Sequence, residues 1–331
     1  MNDDLHPLAC ALALCLAPVL SASALAQNYP AKPVRIIVGT VAGGPQDVIA
    51  RGTASILSQS MGQPFVVENR GGADGLIGGE ACARAPADGH TICTSDNWAI
   101  ALVQHTKKSL PYDPQRDLAP IVHYGYLSVA VLARPNLPVN SFADVLGYLK
   151  ANPGKISWGS YGTSSATNLY MEWFKNAKGI QFLNVPYKSA SLTMPAMLGG
   201  EIDMAYLAIG LAAQNVKAGK AKALAVVGPS ERSPILPEVP TWKEAGMEMN
   251  IATWFGLYAP SATPRDIIGR LNAELGKGLF NNAGAKEKFL TGIGMSVEAP
   301  AGGTPEALAA LGRAELEKLG NIVKTIGIKP E

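Results

Sequence analysis

The chain has 331 residues, of which 47% are hydrophobic and 16% are charged, and its formal net charge at pH 7 is +2. A chain of this length and composition can bury a large core, and two domains are the natural expectation. The small net charge and the absence of a lysine or arginine run argue against nucleic acid as a partner.

The first 26 residues have the pattern of a signal peptide. Residues 8–20 are almost wholly apolar, and Ala24-Leu25-Ala26 is an A-x-A cleavage site directly before Gln27. The apolar run is too short to span a membrane comfortably. The usual positive charges are missing, since the first residues hold Asp3 and Asp4 and no lysine or arginine; a later start codon would explain this. We expect an exported, periplasmic protein that is cleaved near Ala26.

The segment at residues 34–51 predicts a strand, a glycine turn and a helix start. Residues 34–38 are a β-branched apolar run, Gly43 and Gly44 interrupt it, and helical character resumes after Pro45. Free N–H groups and the positive end of the helix dipole bind anions, and glycines let a ligand reach the backbone. This turn is therefore predicted to be half of a carboxylate-binding cleft. The candidate contacts are Thr40, Val41, Ala42, Gly43, Gly44, Gln46 and Asp47.

For the Asp47 side chain, an ion pair with Arg51 on the same helix is slightly favoured over ligand contact, because the two residues are four positions apart. The alternative is that Asp47 caps the loop or receives an amino or hydroxyl group of the ligand. A free carboxylate facing an anionic ligand would be repulsive unless the field of the helix start outweighed it.

Two further βα units follow, with strands at 65–68 and 91–94 and a glycine-rich entry at 70–79 to a helix that runs to about residue 85. Residues 95–98 follow the second strand and are expected at the same mouth. The candidate contacts there are Ser95, Asn97 and Trp98, of which Trp98 could stack on an aromatic ligand or pack in the core. The glycines at 71–79 lack the spacing and the acidic partner of a dinucleotide loop.

The expected mature chain keeps two cysteines, Cys82 in a predicted helix and Cys93 in the following strand. An even pair in an oxidising compartment permits a disulfide. Each cysteine could instead be a small core residue. Both alternatives stay open.

Two long apolar stretches, 121–133 and 251–259, are predicted to cross between two lobes. The first lobe comprises residues 27–127 and 252–331, and the second comprises 128–251. In the second lobe a helix capped by Ser141 is followed by strands and helices in alternation, which implies mostly parallel sheets flanked by helices. The predicted strands are 156–160, 182–185, 202–206 and 223–227. The predicted helices are 142–151, one that follows the turn at 161–168 and runs to about 177, 192–199 and 211–218. Helices at 264–280, 283–291 and 305–326 return to the first lobe.

The turn at residues 159–168 is predicted to be the other half of the cleft, because it is rich in hydroxyl groups. Hydroxyls and backbone N–H groups can bind a carboxylate without a buried lysine or arginine, each neutral hydrogen bond contributing about 1 kcal/mol. Helix capping would also recruit serine or threonine, but fewer of them. The candidate contacts are Ser160, Tyr161, Thr163, Ser164, Ser165 and Asn168. Tyr187 lies either in the cleft or at the edge of the lobe.

Several short motifs are spread in a fixed order over nearly all of the mature chain. They are Tyr29-Pro30, Lys32-Pro33-Val34-Arg35, Val67-Glu68-Asn69-Arg70, Leu110-Pro111-Tyr112-Asp113-Pro114, Ala151-Asn152-Pro153-Gly154-Lys155, Val185-Pro186-Tyr187-Lys188, Pro237-Glu238-Val239-Pro240-Thr241 and Trp254-Phe255-Gly256-Leu257. In these motifs the chain resembles the extracytoplasmic solute receptors of tripartite tricarboxylate transporters, the Bug family. The resemblance implies a type II-like periplasmic binding protein, with two α/β lobes joined by crossing hinge strands. It also implies membrane permease subunits as partners.

The function expected from this resemblance is capture of a small organic carboxylate, a di- or tricarboxylate or an aromatic acid, between the lobes for uptake by the transporter. We expect a monomer without a cofactor or metal. Three departures from the family pattern point to a ligand other than the usual dicarboxylates: Thr40 lies in a loop without its usual aromatic, Asn168 stands where histidine is common, and Leu207 stands where an acid or amide is common.

Two other functions remain as alternatives. The receptor could report its ligand to a sensor kinase, which the genes beside this one would discriminate. An exported hydrolase could use a serine of 160–165, but the chain has no G-x-S-x-G, S-x-x-K, P-loop or H-E-x-x-H motif. The histidines of the mature chain, His90, His105 and His123, lack metal-ligand spacing. The sequence therefore predicts no enzyme.

Overall fold

The computed structural model describes residues 29–162, 164–228 and 232–331. The predicted signal peptide and Thr163 lie outside the described residues. In the described part of the chain, no helix combines the length and hydropathy that a membrane crossing requires.

The strands of the described residues form two sheets. The six-stranded sheet has the order β11-β4-β10-β3-β1-β2, and the five-stranded sheet has the order β7-β6-β8-β5-β9. The first sheet contains β1 (Val34–Val38), β2 (Phe65–Asn69), β3 (Thr91–Asp96), β4 (Leu118–Leu127), β10 (Thr253–Pro260) and β11 (Met295–Ser296). The second contains β5 (Val129–Ala133), β6 (Ser157–Ser160), β7 (Leu183–Pro186), β8 (Met204–Ala208) and β9 (Lys222–Val227).

In each sheet, one interior strand runs antiparallel to both of its neighbours. Strand β1 pairs in parallel with β2 and β3, whereas β10 is antiparallel to both of its neighbours, β3 and β4. In the other sheet β6 is parallel to β7 and β8, and β5 is antiparallel to β8 and β9. The βα strands therefore end at a common edge of each sheet, where loops with polar residues collect.

The chain passes from one sheet to the other at Ser128, the single residue between β4 and β5, and it returns between β9 and β10. The predicted apolar stretch at 121–133 is thus two strands, one in each sheet. A turn of direction at Ser128 separates them, and its N–H donates to the Gly294 carbonyl at 3.0 Å.

The helices cover the sheets. They are α1 (Pro45–Met61), α2 (Leu76–Ala83), α3 (Val103–Thr106), α4 (Phe142–Ala151), α5 (Ala166–Lys178), α6 (Thr193–Leu198), α7 (Ile209–Lys217), α8 (Arg265–Leu275), α9 (Ala283–Phe289) and α10 (Pro305–Ile326). The predicted bounds of α4 and α10 are confirmed, since both helices have strong start signals. Ser141 and Asp144 form a reciprocal capping box at α4, and the Thr304 side chain accepts the Ala307 N–H at α10.

Other predicted bounds are wrong by two to five residues. The strand placed at 202–206 is β8, Met204–Ala208, because Asp203 is held outside it by an ion pair with Arg134 and by bonds from Ser157. The helix placed at 264–280 is regular only to Leu275 and continues as a wider turn, Gly276–Phe280. Two glycines in this turn lower its helix propensity.

Cys82 of α2 and Cys93 of β3 form a disulfide. Both cysteines are buried in a cluster that also contains Ile37 and Tyr112. The bond ties α2 to the strand that ends at the predicted cleft, so of the two alternatives left by the sequence the structure has the disulfide.

Candidate functional site

A cavity of about 590 Å³ is lined by loops from both sheets. The six-stranded sheet contributes the β1–α1 loop, the turn at 71–75 and the end of β3, and the five-stranded sheet contributes 161–162, 164–165, 187–191 and the start of α7. Leu127, Val129, Thr253 and Phe255, from the strands at the crossings, complete the lining. A second cavity, about 610 Å³, is lined only by residues 83–84 and 104–117. Only the first cavity would place a ligand in contact with both sheets.

Many of the predicted contacts meet in this cavity. Those that line it are Thr40, Val41, Gly44, Gln46, Ser95, Trp98, Tyr161, Ser164, Ser165 and Tyr187. Thr163 lies outside the described residues. The two loops singled out in the sequence thus have residues on one shared cavity, although the two glycines of the first loop differ, since Gly44 lines it and Gly43 does not.

The start of α1 offers a backbone donor to the cavity. Gly44 is the residue before the helix, and the amides of Asp47 and Val48 both donate to its carbonyl at 3.1 Å. Pro45 has no N–H. The Gln46 amide has no acceptor in the described chain and is available to a ligand. The Gln46 side chain is fixed against β3, because its Nε2 donates to the Thr94 carbonyl at 2.7 Å.

The start of α5 faces the same cavity with its hydroxyls already engaged. The Ser165 Oγ accepts the Asn168 N–H at 3.3 Å and donates to the Gly162 carbonyl at 2.7 Å. The Ser164 Oγ shares a hydrogen bond of 2.6 Å with Thr106 Oγ1, which comes from the other sheet's helices. These hydroxyls shape the loop and join it to the facing side of the cavity. The donors that a helix start leaves for an anion are its first backbone amides.

Asp47 is held away from the cavity by its neighbours. Its Oδ2 accepts from Arg51 Nε at 2.9 Å and from the Gly43 N–H at 3.1 Å, and its Oδ1 accepts from Asn69 Nδ2 at 3.0 Å. Burial would raise the pKa of Asp47, but the hydrogen bonds from Arg51, Gly43 and Asn69 together hold it below its ordinary value. The ion pair favoured by the sequence is present, and it fixes the loop rather than a ligand.

The other predicted contacts that do not line the cavity are Ala42, Gly43, Asn97, Ser160 and Asn168. Ser160 Oγ donates to Asn184 Oδ1 at 2.5 Å, and Asn184 Nδ2 donates to Asn168 Oδ1 at 3.2 Å. Ala42 and Gly43 are exposed at the loop tip.

Asn97 is buried and joins three parts of the fold. Its Nδ2 donates to the Ala252 carbonyl at 3.1 Å and to Glu315 Oε1 at 3.3 Å, and its Oδ1 accepts the Trp254 N–H at 3.2 Å. It therefore ties the end of β3 to the returning strand and to α10, which is why it is turned from the ligand cavity.

The sequence did not single out the turn at 71–75 as part of the cleft. Asp74 and Gly75 line the cavity, and Ala73 and Asp74 adopt positive φ angles of 47° and 57°. The signal was available, because this turn follows β2, a parallel neighbour of β1, and parallel strands end at one edge. Lys107 was also missed as a lining residue, whereas Lys188, which the sequence left between the cleft and a structural role as it did Tyr187, lines the cavity.

Four charged side chains line the cavity: Asp74, Asp96, Lys107 and Lys188. Lys107 Nζ lies 3.2 Å from Asp74 Oδ2 and 2.9 Å from Glu331 Oε1. Burial would lower the pKa of Lys107, but these two carboxylates raise it overall. In the residues that the structure describes, no group of histidine, cysteine, aspartate and glutamate could hold a metal ion.

Asp96 is enclosed by protein and partly accessible from the cavity. Burial raises its pKa to about 6, the charge of Asp74 adds to the rise, and backbone N–H groups, that of Ala99 above all, oppose it. The Ala99 N–H donates to Asp96 Oδ1 at 2.9 Å. The ionised form of Asp96 is therefore destabilised relative to its protonated form.

Asp96→Asn is expected to stabilise the ligand-free protein above pH 6. The folded pKa of about 6 exceeds the ordinary value of 3.8, so the wild type loses stability as the pH rises from about 4 to about 6 and does not regain it above. Asparagine keeps an acceptor for Ala99 and removes the charge. Denaturant unfolding should show an advantage of about 3 kcal/mol at pH 8 that disappears at pH 4. If Asp96→Asn is more stable than the wild type by the same amount at pH 8 and at pH 4, ionisation of Asp96 is not the cause of the difference.

Comparisons with known proteins identify the family and the fold. Residues 49–328 match the family model described as tripartite tricarboxylate transporter family receptor. The chain belongs to this receptor family. Its relatives include a UPF0065 protein of Bordetella pertussis, 30% identical over 314 residues that make up 94% of each chain. The protein BugT of the same organism is 31% identical over 312 residues, again 94% of each chain.

Solved structures of similar proteins have the same fold. The periplasmic binding protein BugD superposes on the receptor with a TM-score of 0.83 and 30% identity, over 92% of this chain and all 100% of that one. A Rhodopseudomonas palustris protein solved with adipate has a TM-score of 0.84 and 30% identity over the same shares. MatC from that organism, with bound malate, has a TM-score of 0.81 and 28% identity over 89% of this chain and 100% of its own.

These comparisons confirm the predicted family and the α/β fold of a periplasmic binding protein with two helix-flanked sheets. The family and its structural neighbours are solute-binding proteins rather than enzymes. Membership of the receptor family implies a periplasmic location.

Proposed function

We propose that the receptor captures a small organic carboxylate between two lobes and delivers it to the membrane permease of a tripartite tricarboxylate-type transporter. The observation that carries the proposal is that the starts of α1 and α5, one from each sheet, line a single cavity. In this proposal the chain is exported as a monomer and loses residues 1–26. The lobes are residues 27–127 with 252–331 and residues 128–251.

The chemistry of the cavity supports a carboxylate as the ligand. A helix start presents unpaired backbone N–H groups and the positive end of the helix dipole, and two of them can hold one anionic group without a dedicated lysine or arginine. Similar proteins have been solved with adipate and with malate, which are both carboxylic acids. The receptor's ligand is assigned to the same broad class.

The rest of the cavity supports an apolar body for that acid. Leu127, Val129, Leu207, Leu211 and Phe255 all line it. Apolar side chains favour a ligand whose hydrocarbon part is buried against them, whereas a small polyacid has little hydrocarbon surface to bury. We therefore propose an aliphatic or aromatic acid whose hydrocarbon part contacts these residues.

Contacts across the cavity support closure as the mechanism. Thr106 and Ser164 share a hydrogen bond between the two sides, and the Asp74 side chain lies against Gly162. In this proposal the ligand favours the closed arrangement because both helix starts reach it only there, and that difference in affinity drives closure.

The test places a negative charge at the start of α1 without harming the helix. Gly44 has φ −85°, and a Cβ there would meet nothing within 4 Å. Asparagine and aspartate are both good residues at this position. Gly44→Asp should therefore fold normally but repel a carboxylate, whereas Gly44→Asn is the uncharged control.

Calorimetry with aliphatic and aromatic mono- and dicarboxylates is the measurement. The wild type and Gly44→Asn should bind the same acids, and Gly44→Asp should bind them at least about tenfold more weakly, which corresponds to about 1.4 kcal/mol. Absence of binding by the folded wild type across the panel would count against the proposed function. If Gly44→Asp and Gly44→Asn bind the acids with equal affinity, the start of α1 does not contact the carboxylate.

A further inference from the structure

Asp96 is a cavity-lining carboxylate that has no cationic partner in the described chain. It lies at the end of β3 and lines the cavity together with Asp74. Its hydrogen-bond partners within the protein are backbone N–H groups, of which that of Ala99 donates to Oδ1 at 2.9 Å. The nearby cation, Lys107, is instead engaged by Asp74 at 3.2 Å and by Glu331 at 2.9 Å.

This arrangement is unusual for a cavity whose helix starts bind an anion. Lys107 has two carboxylates within ion-pair distance and so compensates Asp74, and in the described chain the other lysine of the lining, Lys188, forms no ion pair with Asp96. A plain acid would bring another negative charge into the same low-dielectric space and would be repelled by Asp96. A buried charge is tolerated when a partner supplies the opposite charge.

We infer that the ligand carries a protonated amine besides its carboxylate, and that Asp96 is the specificity-determining residue that accepts a hydrogen bond from this ammonium group. The inference rests on the proposed function, in which the carboxylate is bound at the helix starts. Trp98 and Tyr161 line the cavity next to Asp96 in the fold, and aromatic rings add a favourable surface for a cation. The ligand is then a zwitterion, with its two charges separated by a hydrocarbon body.

Matched probes separate the amine from the rest of the ligand. One pair is 6-aminohexanoate and hexanoate, and the other is 4-(aminomethyl)benzoate and 4-methylbenzoate, so that each pair shares a carboxylate and a hydrocarbon part. Calorimetry compares the wild type with Asp96→Asn. Asp266→Asn is the matched control, because Asp266 also accepts a backbone N–H, that of Ile267 at 3.0 Å, but lies outside the cavity on α8.

The wild type and Asp266→Asn should bind at least one amine-bearing probe tenfold or more tighter than its partner. Asp96→Asn should lose most of this preference by weakening the amine-bearing probe and strengthening the plain one. If Asp96→Asn does not fold, Asp96→Ser, which also keeps an acceptor for the Ala99 N–H, takes its place.

The outcomes distinguish this inference from the proposed function. If the wild type binds the plain acids as tightly as the amine-bearing ones, or if Asp96→Asn keeps the full preference, the inference is overturned while carboxylate binding stands. If the folded wild type binds none of the four probes, the inference is overturned. The proposed carboxylate function falls with it only if the wild type also binds none of the mono- and dicarboxylates of the wider panel.

Discussion

Gly162→Ala is expected to weaken ligand binding by about tenfold to a hundredfold. Gly162 lies on the loop before α5 at φ +111°, and a Cβ there would overlap Asp74 Oδ1 on the facing turn. Forcing extra atoms into a tight contact costs about 1–3 kcal/mol, which is about one to two decades in Kd. Because the overlap joins the two sides of the cavity, an open form avoids it, so binding should suffer more than folding. Calorimetry of the two proteins with any acid that the wild type binds is the measurement.

Gly154→Ala is the matched control. Gly154 also has a positive φ, 70°, but a Cβ there would meet nothing within 4 Å. Alanine at the φ of Gly154 carries backbone strain of about 1 kcal/mol, and at φ +111°, outside the left-handed helical region, it carries more. Gly162→Ala should therefore lose more stability than Gly154→Ala, and only Gly162→Ala should lose affinity. Adding Asp74→Ala to Gly162→Ala should restore part of the affinity, compared with Asp74→Ala alone. Equal affinities of the two glycine variants would show that Gly162 does not limit closure.

Helix starts were the most predictable part of the fold, because their signals are local. The cap predicted at Ser141 marks the start of α4, where Asp144 completes a capping box, and the predicted start of α10 at residue 305 follows Thr304, which accepts the Ala307 N–H. The ion pair of Asp47 with Arg51 followed from the same short spacing. Each of these needs nothing beyond one turn of helix.

The hydroxyl-rich loop lines the cavity with Tyr161, Ser164 and Ser165, but several of its hydroxyls are bonded within the protein. Its serines are engaged by partners distant in sequence: Ser160 bonds Asn184, and Ser164 bonds Thr106. A serine hydroxyl that could bond to a ligand could equally bond to another part of the protein, and the sequence does not show which partner lies within hydrogen-bond distance. Residue type therefore predicted the polarity of the loop but not its free donors.

The charges of the cavity were least predictable. Asp74, Asp96 and Lys107 are 11 to 33 positions apart, and their meeting depends on how the turn at 71–75 folds over the end of β3. Two residues with positive φ that are not glycine, Ala73 and Asp74, give this turn its course. Such backbone geometry is imposed by surrounding structure and is not a preference of those residues.

Trp242→Ala is expected to lower the free energy of unfolding by about 3–5 kcal/mol, the usual cost of removing a large buried aromatic side chain. Trp242 is fully buried, and its ring lies 4.6 Å from Phe142 and 5.3 Å from Tyr170, between centroids. Its Nε1 donates to the Met249 carbonyl at 2.8 Å. Truncation would leave a cavity among these rings and a buried carbonyl without its donor. Urea unfolding at neutral pH, without ligand, is the measurement.

The effect should reach the binding site, since Trp242 belongs to the connection between β9 and β10. Tyr170, which packs on it, accepts the Ile251 N–H at 3.1 Å, and Ile251 lies two residues before Thr253 in the cavity lining. Leu183→Ala is the control, because Leu183 is 57% exposed on β7 and its loss should change stability by less than about 0.5 kcal/mol. Trp242→Phe keeps an aromatic ring, so its free energy of unfolding should lie between those of Trp242→Ala and Leu183→Ala. If Trp242→Ala is no less stable than Leu183→Ala, the connection does not anchor the returning strand.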